Sequence, residues 1–166
     1  MKLRLTLIFA AALMLLPFND AAAKKPQYDG TRIVAHRGYW NCDEAGYAKN
    51  SIAALRCAQN AGFWGSEFDV NMTADSVLLV FHDDKIDGKK IEKHNHEDFT
   101  YFRLKNGESI PTIDEFLEQA KKCPETMLVY ELKKHSCDQV EETFVQLTIA
   151  KLKEHGILDP SRVMFI

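Results

Sequence analysis

Four short apolar runs in this sequence each carry or end in side chains able to do chemistry. Thr31 to Ala35 ends in His36-Arg37-Gly38, and the run holding Phe68 and Val70 carries Glu67 and Asp69. Val77 to Phe81 ends in His82-Asp83, and Met127 to Tyr130 ends in Glu131-Leu132-Lys133. Glu67 and Asp69 are two residues apart, so in a strand both carboxylates point to one face while Phe68 and Val70 point to the other. Helical patterns fall between most of these runs. Asn50-Ser51 caps a helix with Ile52, Leu55, Ala58 and Ala61 at helical spacing, which Gly62 ends. Pro111-Thr112 opens a second, Ile113 to Lys122, and a long third runs from about Asp138 to His155 before Gly156. The chain then enters a fifth apolar run, Val163 to Ile166. Continuous apolar strands alternating with helices predict an α/β fold with a helix-covered parallel sheet. In a (β/α) barrel the C-terminal strand ends form the active-site mouth, which is where the polar groups would gather.

Those groups suggest one kind of chemistry. Glu67, Asp69 and Glu131 are hard oxygen ligands, suited to Ca²⁺ or Mg²⁺. Arg37 and Lys133 are cations suited to an anionic substrate, and Arg37 can grip a phosphate through two bonds. His36 and His82, on different strands, can act as base and acid near neutral pH. A metal, two cations and two histidines fit the cleavage of a phosphodiester.

The rest of the chain narrows the setting. A net charge of −3 over 166 residues leaves no basic footprint for nucleic acid. Lys2 and Arg4 precede the apolar run Leu5 to Leu16, and Ala21-Ala22-Ala23 offers a cleavage site before Lys24. That is the layout of a secretory signal peptide over residues 1–23, too short to span a bilayer comfortably. The mature domain is expected to cover 24–166, outside the cytoplasm in the periplasm or secreted, with no stable membrane span. Cys42, Cys57, Cys123 and Cys137 lack Cys-x-x-Cys spacing, which argues against zinc, and their pairing is left open. Cys57 reads as a small buried apolar residue. Asn71-Met72-Thr73 fits a glycosylation acceptor. His94-Asn95-His96 lies in a charged loop and reads as exposed, as do His135 and His155; Asp83 reads as a structural partner at its strand end.

His36-Arg37-Gly38, Glu67-Phe68-Asp69, His82-Asp83 and Glu131-Leu132-Lys133 resemble, in order and spacing, the hallmark of the glycerophosphodiester phosphodiesterases. Ile110-Pro111-Thr112 is similar to that family's Ile-Pro-Thr, and Asn50 to the Asn of its Glu-Asn-Thr, although here Lys49-Asn50-Ser51 stands in its place. The resemblance runs from Ile33 to Ile166. It implies a (β/α)8 TIM barrel that hydrolyses small-molecule glycerophosphodiesters to sn-glycerol 3-phosphate and an alcohol. It implies Glu67, Asp69 and Glu131 as ligands of a divalent cation, Ca²⁺ or Mg²⁺. His36 and His82 are then the acid/base pair, and Arg37 and Lys133 the phosphate contacts. The family's small insertion after His-Asp falls at about 84–110, a stretch with little regular pattern. A complete barrel takes about 250 residues, so the chain is expected to be the front part of a longer protein, with about five strands. Two other readings share these motifs: a phosphatidylinositol-type phospholipase C, which often dispenses with the metal, and a non-catalytic exported fragment.

Overall fold

The computed structural model describes residues 30–166; the expected signal peptide lies outside them. β2 (Gly65–Met72) is the spine of the sheet and is buried at all of its positions. On one side it pairs in parallel with β1 (Val34–Ala35), and on the other with β6 (Met127–Leu132), which in turn pairs in parallel with β7 (Val163–Phe165). The order β1-β2-β6-β7 follows the chain, as it does around a barrel wall. α1 (Ile52–Asn60) connects β1 to β2, α2 (Ile113–Ala120) precedes β6, and α3 (Asp138–Glu154) connects β6 to β7.

The fifth strand departs from the all-parallel reading. β3 (Leu78–Val80) runs antiparallel to β2, with Val70 opposite Val80 and Met72 opposite Leu78. Residues 73–77 are too few for a parallel crossover, which takes a dozen or more. They form a tight turn instead, closed by Thr73 N to Val77 O at 2.9 Å and Val77 N to Thr73 Oγ1 at 3.0 Å.

The core lies on the apolar face of the sheet. Phe68 meets Phe116 of α2 at a ring separation of 4.4 Å and Tyr130 at 4.9 Å. Phe144 and Leu152 of α3 complete the cluster. The helix caps are as the sequence predicts. Ser51 Oγ accepts from Ala54 N at 2.9 Å, and Thr112 and Glu115 form a reciprocal capping box.

The segment 84–110 is folded rather than irregular. Asp87 and Gly88, both at positive φ, turn β4 (Lys85–Ile86) back onto β5 (Lys89–Lys90). Two 3₁₀ turns follow, Ile91–Lys93 and His96–Phe99. Ile86, Ile91, Phe99, Leu104 and Ile110 bury a second small core against Leu79. Among the described residues, no helix is long and apolar enough to cross a membrane.

Candidate active site

β2 and β6 are in parallel register with Asp69 beside Glu131, while Glu67 sits two residues back on the same face of β2. One carboxylate oxygen from each lies within 4.8 Å of the others. Glu67 and Asp69 are almost fully buried, since Phe68 and Val70 on the opposite face anchor the strand in the core. Glu67 Oε2 accepts the Arg37 backbone N–H at 2.6 Å, but its Oε1 is buried without a hydrogen-bond partner. Burial, joined by the charges of Asp69 and Glu131, pushes the Glu67 carboxyl up to about 7. Burial would also raise Asp69, yet hydrogen bonds from Asn50 and Lys133 outweigh it and hold that carboxyl below its usual range. An orphaned carboxylate oxygen facing two other acids is a poorly satisfied arrangement. A divalent cation on these hard oxygen donors would relieve it, so the residues fit such an ion.

The cations reach the same place. Lys133 Nζ lies 2.7 Å from Glu131 Oε1 and 3.2 Å from Asp69 Oδ1. Arg37 Nε stands 3.6 Å from Asp69 Oδ2. Arg37 is brought there by a sharp turn in which it adopts φ +58 and Gly38 φ +76. A Cβ at Gly38 would come within 2.7 Å of Ala54 Cβ, so only glycine lets the turn pack on α1. Asn50, also at positive φ, closes this loop with its N–H on Arg37 O at 3.0 Å. Its side chain donates to Asp69 Oδ2 at 2.8 Å.

Both histidines stand at the rim. His36 Nε2 is 3.9 Å from Glu67 Oε2, with its side chain 71% exposed. The antiparallel return of β3 sets Phe81 N on Asp69 O at 3.0 Å and delivers His82 to the level of the acids. Asp83 Oδ1 pairs with His82 Nδ1 at 2.7 Å, which orients the ring and leaves Nε2 available, as expected of a structural partner. All seven residues expected from the sequence therefore face one region.

The sequence reading missed the supports. Asn71, taken as a glycosylation acceptor, is buried in β2, and its amide donates to Phe81 O at 2.8 Å and Asp83 O at 3.2 Å. It clamps the backbone on either side of His82 and has no free face for a sugar. His135, expected at the surface, is buried: its Nε2 accepts from Met72 N at 3.1 Å, and burial lowers its pKa. His155 is likewise enclosed, against Asp114 at 2.9 Å and Glu118 at 3.2 Å. Glu108, at the end of the 84–110 region, accepts from the first two amides of α1, Ile52 N at 2.9 Å and Ala53 N at 3.2 Å. The helix after Lys49-Asn50-Ser51 is thus capped by an acid 56 residues beyond Ile52.

Glu92 ties that region to the loop after β6, accepting from Ser136 N at 2.8 Å and pairing with Lys90 Nζ at 2.7 Å. Burial would raise its carboxyl, but these bonds prevail and bring it down to about 2. A depressed folded pKa stabilises the fold above the unfolded value of about 4.5, and this is lost as pH falls toward 2. Glu92→Gln is expected to cost about 1–3 kcal/mol at pH 7, read as a lower urea midpoint, with the gap to the parent closing near pH 2.

The fold is that of a partial (β/α) barrel. The chain belongs to the glycerophosphoryl diester phosphodiesterase family, whose sequence model matches residues 36–165. A glycerophosphodiester phosphodiesterase of Bacillus altitudinis is 33% identical over 115 residues, covering 62% of this chain and 45% of that protein. A crystal structure of a glycerophosphodiester phosphodiesterase from Parabacteroides distasonis superposes with a TM-score of 0.77 at 37% identity, over 84% of this chain and 57% of its own. A phosphodiesterase of Oleispira antarctica, solved with its product sn-glycerol-3-phosphate, superposes with a TM-score of 0.65 at 26% identity, over 81% and 56%. The chain spans about half the length of the curated relatives it matches.

Proposed function

We propose that this chain carries the catalytic mouth of a metal-assisted glycerophosphodiester hydrolase, releasing sn-glycerol 3-phosphate and an alcohol. The observation that carries the reading is the meeting of Glu67, Asp69 and Glu131 with Arg37 and Lys133 at one strand end. The product bound by the Oleispira antarctica relative supports the same substrate class. Glu67, Asp69 and Glu131 would hold the cation, Ca²⁺ or Mg²⁺, which when bound supplies positive charge to the phosphorus centre. Arg37 and Lys133 would hold the non-bridging phosphate oxygens. One histidine of the His36/His82 pair takes the proton of the attacking water. The other gives a proton to the departing alcohol oxygen as its bond to phosphorus breaks. Residues 24–166 form the catalytic domain in this reading, with 84–110 as its insertion. The basic, apolar and small-residue order of residues 2–24 supports export to the periplasm or beyond.

The test is a coupled assay for glycerol 3-phosphate released from glycerophosphocholine and glycerophosphoinositol, with Mg²⁺ or Ca²⁺ and then with a chelator. Release that the chelator abolishes is the expected result. No release from either diester overturns the proposal, and chelator-resistant turnover favours the phospholipase C alternative.

A further inference from the structure

A cavity of about 330 Å³ opens beside the site, between the loop that follows β1 and the 84–110 region. Arg37 and His82 form its inner wall; Lys49, Phe102, Arg103 and Lys105 form the outer one. Phe81 and Phe102 meet edge to face at 5.8 Å beneath it. The volume is at the lower end of what small-molecule sites use.

Its charge runs against that of the chain as a whole, which is −3. Among the described residues, neither Lys49, Arg103 nor Lys105 has a carboxylate within ion-pair distance. Asp83, the acid in the lining, is engaged by His82 at 2.7 Å. The three outer cations are instead held by uncharged groups. Lys49 Nζ sits 4.6 Å from the centre of the Trp40 ring, and Lys105 Nζ 5.0 Å from that of Tyr47. Arg103 Nη1 donates to Thr100 O at 2.5 Å and Phe102 O at 2.8 Å. Two consequences follow. Three positive charges face the cavity against a single carboxylate, Asp83. Of the nearby aromatic faces, those of Trp40 and Tyr47 are already occupied by the protein's own ammonium groups, which leaves Phe81 and Phe102, packed edge to face on each other.

We infer that this cavity receives the alcohol moiety of the diester, and that the preferred alcohol carries its own negative charge, as a second phosphate or a carboxylate. The inference rests on the hydrolase reading above. A phosphate on the alcohol reaches Lys49, Arg103 and Lys105 while the scissile phosphate stays with Arg37 and Lys133. A choline group in the same place meets repulsion. Because the outer cations are exposed, the preference is salt-dependent: the screening length shrinks from about 30 Å at 0.01 M salt to about 3 Å at 1 M.

Three diesters test this: glycerophosphoinositol phosphate, glycerophosphoinositol and glycerophosphocholine, the first two differing by one phosphate. Titration calorimetry with a chelator present reads binding without turnover. Glycerophosphoinositol phosphate is expected to bind about tenfold tighter than glycerophosphoinositol at low salt, with glycerophosphocholine weakest and the spread collapsing at 1 M. The double variant Lys49→Glu/Lys105→Glu, checked for folding by circular dichroism, is expected to reverse the order. Equal affinities for the three ligands, or an order unchanged in the double variant, overturn the inference. Glycerol 3-phosphate release is then measured on the same ligands with Mg²⁺ or Ca²⁺. The predicted binding order without any release overturns the hydrolase reading alone. Release from all three with indifferent binding overturns the charge preference alone.

Discussion

His82→Ala is expected to lower turnover by about 10²–10⁴, the usual worth of general acid–base catalysis, with a much smaller change in KM. His82 has no share in the core, and its ring is held by Asp83 at 2.7 Å rather than by packing. Its removal therefore leaves the sheet and the carboxylate cluster in place. His36→Ala is expected to cost a similar factor, since His36 stands on the other rim with 71% of its side chain in solvent. The two losses should combine to less than their product if each histidine serves the same proton-transfer sequence. Steady-state kinetics on one diester, with circular dichroism to verify folding, decides the matter. A loss of only a few-fold in both variants returns the histidines to a structural role.

The second large effect concerns the acids. Glu67→Ala or Glu131→Ala is expected to abolish metal-dependent activity and, in titration calorimetry, the uptake of Ca²⁺ or Mg²⁺. Each removes one donor from a set of three. The two variants should differ in the metal-free protein. Glu67 is a buried acid with an unsatisfied oxygen, so its loss relieves an unfavourable group. Glu131 is the partner of Lys133 at 2.7 Å, so its loss releases a cation toward Asp69. Thermal melts with a chelator should accordingly show Glu67→Ala the more stable of the two. Full activity in either variant overturns the metal assignment.

Much of this site was legible because strand chemistry is local. Glu67 and Asp69 share a face by the two-residue repeat alone, and Glu131-Leu132-Lys133 repeats the device on β6. The caps at Ser51 and Thr112 were equally plain, since their partners lie within one turn. What was not legible depends on contacts across long stretches of chain. His135 and His155 sit among charged neighbours in sequence, and only the packing of α3 encloses them. Glu108 looks like any acid of a polar loop until the chain brings it back to α1. Two misses did have a local signal. The short link between Met72 and Leu78 already required a hairpin rather than a parallel crossover. Asp87-Gly88 is a strong two-residue turn pair that marks the β4–β5 hairpin.

Glu92 and Glu108 hold the two flanks of the 84–110 region to different parts of the barrel wall, one to Ser136 and the other to the start of α1. Between these anchors Phe99 and Leu104 pack into the core that holds Leu79, and Arg103 and Lys105 reach the cavity beside Arg37 and His82. The two clasps make wholesale deletion of the region far more damaging than its place outside the main sheet would suggest, because cutting it out strips Ile52 N and Ala53 N of α1 of their acceptor and loosens the loop that follows Lys133.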